Sequence, residues 1–139
     1  MNMRIIYNAI RTPGGTVLES RHVYDYKTHT DKNGEVYMVD GGLEYLRRSY
    51  NENFPAEELS VYLEDGHEVV REVATWGSYG KNGDEPLKYI LIKDMTEEHI
   101  QNCLNNCYRM HPHYRVAFEN ELQWREAGGR DGLQPDRGE

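Results

Sequence analysis

Residues 24–39 read Tyr-Asp-Tyr-Lys-Thr-His-Thr-Asp-Lys-Asn-Gly-Glu-Val-Tyr-Met-Val and contain the clearest structural signal in the chain. Two extended segments, 24–30 and 35–39, flank a short turn that contains Asn33-Gly34. This dipeptide supplies the positive φ angles that tight hairpins require. The stretch therefore predicts an antiparallel β-hairpin.

Other strands are expected on both sides of this hairpin. Residues 3–10 and 16–20 are separated by Thr12-Pro13-Gly14-Gly15 and predict a second hairpin. Residues 43–50 fit a short helix and a strand equally well, so their structure is left open. Strands are predicted over residues 59–63 and 89–92, the latter as the most convincing core strand. Residues 67–75, which are rich in valine, are predicted to be extended or mixed.

The last third of the chain has helical periodicity instead. Thr96 is a natural N-cap for a helix that ends near Met110, and Pro112 fits the first turn of a second helix that Gly128-Gly129 ends. Their apolar stripes are Ile100, Leu104, Cys107 and Tyr108 in the first helix and Tyr114, Phe118 and Leu122 in the second.

The expected fold class is therefore α+β, with a small antiparallel sheet and two C-terminal helices. The length of 139 residues is that of one domain. We expect a single ligand-binding domain over residues 1–127 and a polar tail over 128–139.

Composition limits the classes of partner. Sixteen Lys and Arg residues against 24 Asp and Glu residues give a net charge of −8, so the chain should repel duplex nucleic acid unless it has a strong local basic patch. No such run of basic residues is present, and no apolar run approaches the roughly 18 residues needed to span a bilayer. We expect a cytoplasmic protein that binds neither duplex nucleic acid nor a membrane. A small phosphate-bearing ligand is compatible with this charge, because a few arginines suffice to bind it.

Two aromatic residues lie in a glycine-rich segment, residues 76–86, which is predicted to be a loop. Trp76 and Tyr79 could stack on a nucleobase there. Alternatively, Trp76 folds back onto the core, since a large ring is usually buried. Both explanations stay open.

Two arginines flank the apolar face of the second predicted helix. At 100° per residue, Arg115 and Arg125 share an arc of about 80° with Phe118 and Leu122. They either face a phosphate pocket or a subunit interface, or form ion pairs with the residues four positions away, Glu119 and Glu121 respectively.

Catalytic and metal-binding signals are weak. The six histidines are scattered, although His22 with Asp25 or His67 with Glu68 could form an acid–base pair. His99, Cys103, Cys107 and His111 recur every four residues, which spreads them over about 18 Å of helix and excludes one shared metal site. We therefore expect no enzyme activity, no metal and no cofactor.

Three short blocks resemble the phage protein family called Thoeris anti-defence protein 1. They are Glu19-Ser20-Arg21-His22 through Tyr26, Val39-Asp40-Gly41-Gly42 with Tyr45-Leu46-Arg47-Arg48, and Glu58-Leu59-Ser60-Val61. The similarity extends from about Ile6 to the end of the second predicted helix.

The resemblance implies a sponge in the cytoplasm of the infected bacterial host. The family binds and sequesters cyclic ADP-ribose isomers, including glycocyclic ADP-ribose, that bacterial TIR-domain Thoeris enzymes make, and does not cleave them. Members form homo-oligomers, from dimers up to hexamers, and some also hold cyclic trinucleotides at separate sites. It implies an α+β protomer, in agreement with the residue patterns.

Candidate ligand-binding residues come from two sources. Arg21, Arg47 and Arg48 lie in the matching blocks, and Trp76, Tyr79, Arg115 and Arg125 are added from the loop and helix patterns. The Asp40-Gly41-Gly42 segment is either a tight turn or a set of backbone N–H groups open to an anion. Two other functions stay open: a phosphodiesterase that uses His22 or His67, and a protein–protein inhibitor of a defence enzyme.

Overall fold

The computed structural model describes residues 3–129 and has both strands and helices, with every strand pair antiparallel. The α+β prediction is confirmed. The chain divides into two compact units, whose described parts are residues 3–62 and 63–129. The expected domain boundary at residue 127 stays a prediction, and the expected polar tail lies outside the described residues from 130 onward.

The first unit contains two small sheets. In one, strand β1 pairs with β2, β6 and β7, and the β1–β2 pair is the hairpin predicted for residues 3–10 and 16–20. In the other, β4 lies between β3 and β5, and the Asn33-Gly34 turn joins β3 to β4. The strands are β1 (Ile5–Arg11), β2 (Val17–Ser20), β3 (Lys27–Thr30), β4 (Val36–Asp40), β5 (Arg47–Arg48), β6 (Glu57–Glu58) and β7 (Val61–Tyr62).

The core of this unit joins the two sheets. Ile10, Leu18, Tyr37 and Val39 form one buried cluster, with Ala56 packed against it. The Tyr37 hydroxyl donates a 2.5 Å hydrogen bond to the Phe54 carbonyl, so this buried ring keeps its polar atom satisfied. Burial of each large apolar side chain contributes about 1.5–3 kcal/mol to folding.

The second unit is mainly helical. Its elements are α1 (His67–Val73), β8 (Thr75–Ser78), β9 (Lys88–Leu91), α2 (Glu97–Asn106) and α3 (Pro112–Glu126). The predicted N-cap is confirmed, since the Thr96 hydroxyl accepts a hydrogen bond from the His99 backbone N–H. Pro112 occupies the first turn of α3, as expected. Within residues 3–129, no helix has the length and apolar character that crossing a bilayer requires.

Local predictions were wrong at several places in this unit. The valine-rich segment 67–75, expected to be extended or mixed, is helical over residues 67–73, which form α1 with Val70 and Arg71 buried. Tertiary packing has outweighed the strand preference of the β-branched residues. Trp76 lies in strand β8 rather than in a loop, β9 is only partly buried, and α2 ends at Asn106 rather than near Met110. In the first unit, the open segment 43–50 forms a turn followed by β5.

Candidate functional site

The three arginines of the resembling blocks all have carboxylate partners. Arg21 pairs with Glu19 at 2.5 Å, and Arg47 approaches Asp40 at 3.5 Å. Because Arg47 is 61% exposed, its guanidinium is the more accessible of these two groups to a ligand.

Arg48 forms the most extensive contacts of the three. Its Nε and Nη2 atoms donate to the two Glu58 oxygens at 3.1 and 2.6 Å, and Nη2 also donates to Ser60 Oγ at 3.0 Å. Burial would raise the pKa of Glu58, but the hydrogen bonds from Arg48 and Ser60 lower it overall. The guanidinium fork that could bind a phosphate already binds a carboxylate.

The glycine pair at the end of β4 is a close-packed turn. Gly41 N–H donates to Asp40 Oδ1 and Gly42 N–H donates to Ser20 Oγ, each at 2.9 Å. A Cβ atom on Gly42 would lie 2.4 Å from the His22 carbonyl carbon, and Gly42 has a φ of +56°. Both backbone N–H groups therefore already donate to protein acceptors, which agrees with the prediction of a tight turn rather than of N–H groups open to an anion.

These contacts connect the three resembling blocks to one another. The Gly42–Ser20 hydrogen bond joins the second block to the first, and the Arg48 contacts with Glu58 and Ser60 join the second block to the third. All three blocks lie in the first unit. Their residues thus have clear structural roles, whether or not the arginines also contact a ligand.

The two candidate stacking rings have different environments. The Trp76 ring lies 5.2 Å from the Phe118 ring and 5.6 Å from the Tyr114 ring, between centroids. Tyr79 is 56% exposed. These contacts agree with the alternative in which Trp76 folds back onto the core. Tyr79 is the more exposed of the two rings and is therefore more accessible to a nucleobase.

Arg125 is held by a fully buried carboxylate, Glu121. Its Nε donates to Glu121 Oε2 at 2.6 Å, which is the ion pair expected from the helix spacing. Arg71 donates to both Glu121 oxygens at 2.9 Å, and His67 Nε2 lies 2.7 Å from Oε1. Burial alone would raise the pKa of Glu121, but the hydrogen bonds from these three side chains lower it to about 2. We call Glu121, His67, Arg71 and Arg125 the Glu121 cluster.

The remaining contacts of the two helix arginines are with backbone carbonyls. Arg125 Nη2 donates to Ile92 O at 3.2 Å and to Met95 O at 2.8 Å. Arg115 Nη1 donates to Leu104 O at 3.2 Å, which connects α3 to α2. Both side chains therefore hold backbone segments in place.

His67 is surrounded by protein. Its ring is 11% exposed, and its Nδ1 atom is buried without a hydrogen-bond partner in the described structure. The ring centroid lies 5.7 Å from that of Trp124, over which the Arg71 guanidinium lies at 5.3 Å. With Nε2 at the Glu121 carboxylate and Nδ1 buried, neither ring nitrogen is placed to meet a substrate.

The sequence patterns did not reveal the groove that lies between the β8–β9 hairpin and α2. It has a volume of about 530 Å³, and its cationic or titratable lining includes Lys81, Lys88 and His99. Among residues 3–129, none of these three side chains has a hydrogen-bond or ion-pair partner. We call this cavity the hairpin groove.

Comparison with protein-family models, with curated proteins and with solved structures found no match.

Lys81 and Lys88 contrast with the candidate arginines. Each of the five candidate arginines has a hydrogen-bond or ion-pair partner in the protein, whereas the side chains of the two lysines have none among residues 3–129. Lys81 lies in the loop between β8 and β9, and Lys88 is the first residue of β9. The β8–β9 register places Lys88 opposite Ser78, another residue of the groove wall. In the sequence, the only indication of these two lysines is their position within and just after the glycine-rich segment, residues 76–86.

A second, smaller cavity lies in the first unit. Its volume is about 350 Å³, and Arg48, Tyr50 and Glu58 are among its lining residues. Tyr50 is 85% exposed, but the Arg48 guanidinium here faces Glu58. The hairpin groove therefore offers cations that are more available to an anionic ligand.

Proposed function

We propose that this protein is a phage anti-defence sponge that binds and sequesters a cyclic ADP-ribose isomer made by a TIR-domain enzyme, without cleaving it. The observation that carries the proposal is the hairpin groove, in which Lys81, Lys88 and His99 lack partners within the described residues. The resemblance of the three blocks to Thoeris anti-defence protein 1 supplies the ligand class.

The size and chemistry of the groove suit such a ligand. Its volume of about 530 Å³ falls within the roughly 300–1,000 Å³ typical of small-molecule sites. Two ammonium groups match the two negative charges of a pyrophosphate, and Ile90 with Pro86 adds apolar surface for a sugar or base. A sponge needs only tight binding of the ground state, so no transition-state machinery is required.

The remaining expectations follow the same proposal. We place the protein in the cytoplasm of the infected bacterial host, as a homo-oligomer, without a metal or another cofactor. Cyclic trinucleotides stay a second expected ligand class, at a site separate from the hairpin groove. The seven residues predicted from the sequence stay candidate contacts, and Lys81, Lys88 and His99 are added to them.

The proposal is tested by calorimetry with the TIR-derived cyclic ADP-ribose isomer, followed by heat denaturation and identification of the released compound. We expect tight binding and recovery of the intact ligand. Loss of one charge-assisted contact weakens binding by about 1.5–3 kcal/mol, or roughly ten- to hundredfold. Lys81→Ala and Lys88→Ala should each show such a loss.

Lys32→Ala is the matched control, because Lys32 is an exposed lysine of the first unit that does not line the groove. Recovery of a cleaved product would establish a phosphodiesterase. Equal affinity of all three variants and the original protein would refute the assignment of the groove.

One observation favours a second function, that of a protein–protein inhibitor. Several large apolar or aromatic side chains of the first unit are exposed, among them Tyr24 at 86% and Tyr50 at 85%. Exposed rings of this kind are enriched at protein interfaces. This function predicts a stoichiometric complex with the defence enzyme and no binding of the small molecule.

A further inference from the structure

The hairpin groove contains negative as well as positive side chains. Glu85 and Glu98 line it together with Lys81 and Lys88, so the formal charges of these four groups cancel. We propose that Glu85 and Glu98 determine ligand specificity: they accept hydrogen bonds from ribose hydroxyls and exclude nucleotides that carry more than two phosphate charges. This inference rests on the proposed function and adds a selection rule to it.

Glu85 is held in the loop between β8 and β9. Its backbone N–H donates to the Tyr79 carbonyl at 2.8 Å. Its carboxyl group packs against Gly80, where a Cβ atom would lie 2.5 Å from Glu85 Cδ. Because Gly80 also has a φ of +89°, the backbone there favours glycine and leaves space for the carboxylate. The loop thus places this carboxylate at the groove.

Glu98 lies on the opposite side of the groove, in the first turn of α2. The Thr96 N-cap fixes the start of this turn through its hydrogen bond with the His99 N–H, at 3.1 Å. Within residues 3–129, neither Glu85 nor Glu98 has an ion-pair partner. The groove therefore contains two available cations and two available carboxylates.

The chemistry of a carboxylate determines what it can select. An ionised carboxylate is only an acceptor, so it binds hydroxyl groups of a ribose and repels phosphate oxygens. The two lysines match a pyrophosphate charge of −2. A third phosphate would add negative charge near the carboxylates, and the part of the chain that the structure describes contributes no third lysine or arginine to the groove.

The test compares two probes, the TIR-derived cyclic ADP-ribose isomer and ATP, by calorimetry at pH 7.5 and one fixed salt concentration. The variants are Glu85→Gln, Glu98→Gln and the double variant. Two control variants each neutralise a carboxylate next to a test residue: Asp84→Asn in the same loop and Glu97→Gln in the same helical turn. Neither Asp84 nor Glu97 lines the groove. Tryptophan fluorescence confirms folding, because Trp76 and Trp124 both lie in the second unit.

We expect the original protein and both controls to prefer the isomer over ATP. In the double variant, the affinity for ATP should rise about tenfold while the affinity for the isomer falls, because the repulsion and the hydroxyl contacts are lost together. If the original protein binds the isomer and the double variant keeps the same preference, the inference is overturned and the proposed function stands. If the original protein does not bind the isomer, the proposed function is overturned and the inference with it.

Discussion

Replacement of Glu121 by glutamine should destabilise the second unit strongly and remove part of its dependence on pH. The pKa of Glu121 falls from its ordinary value of 4.5 to about 2 in the folded protein. A difference of this size corresponds to about 3 kcal/mol of folding free energy at neutral pH. The variant also leaves Arg71, whose side chain is 8% exposed, beside a neutral amide. Loss of one partner from a buried ion pair costs about 3–5 kcal/mol.

The sign of the pH effect follows from the lowered pKa. A carboxyl whose folded pKa lies below its unfolded pKa stabilises the fold above about pH 5, and this contribution is lost as the pH falls toward 2. We therefore expect the stability of the original protein to decrease between pH 5 and pH 2. Glu121→Gln should be less stable at pH 7 and should lack the Glu121 part of this decrease.

Urea unfolding followed by tryptophan fluorescence measures the effect where it occurs, since both tryptophans lie in the second unit. With a urea dependence of about 1–3 kcal/mol per molar, the midpoint at pH 7 should shift by about 1–3 M. Glu119→Gln, an exposed position on the same helix, is the control and should change the midpoint little. Equal midpoints for the two variants, or an unchanged pH profile in Glu121→Gln, would refute the reasoning.

Two further perturbations test the packing of each unit separately. Gly42→Ala should lower the melting temperature in circular dichroism, because its Cβ would lie 2.4 Å from the His22 backbone and its φ is +56°; Gly15→Ala, with φ +101° and no atom within 4 Å, isolates the contribution of φ. Comparable melting of the two variants would contradict the close-packing argument. Trp76→Ala should cost about 3–5 kcal/mol because the contacts with Phe118 and Tyr114 are lost, whereas Tyr79→Ala should stay within about 0.5 kcal/mol. A stability loss for Trp76→Ala no larger than that for Tyr79→Ala would instead favour Trp76 as a ligand lid.

The parts of the fold that the sequence predicted depend on local signals. The Asn33-Gly34 turn and the Thr96 N-cap act within a few residues of themselves, so the hairpin and the start of α2 could be read from the chain. Helix α1 could not, because its valines favour a strand and its stabilising partner is distant. Arg71 reaches Glu121, 50 residues away in the sequence.

Contacts between residues far apart in the sequence are also the reason that the candidate site could not be predicted in full. Helix spacing identified the Arg125–Glu121 pair, but it could not show that His67 and Arg71 converge on the same carboxylate. The hairpin groove depends on strand register and on the approach of α2 to the hairpin, neither of which the residue pattern specifies. The sequence predicted arginines as the phosphate ligands, whereas in the described part of the structure the cations without partners in the groove include two lysines, Lys81 and Lys88.

The contacts of Arg125 have a consequence for the interpretation of an alanine scan. Its guanidinium holds the carbonyls of Ile92 and Met95, and the chain continues directly from Met95 into α2, which forms one side of the hairpin groove. Arg125→Ala should therefore weaken ligand binding by displacing the wall of the groove, without a direct contact between arginine and ligand. In such a scan Arg125 would rank beside the lysines, and a parallel loss of thermal stability would mark it as a support of the binding surface.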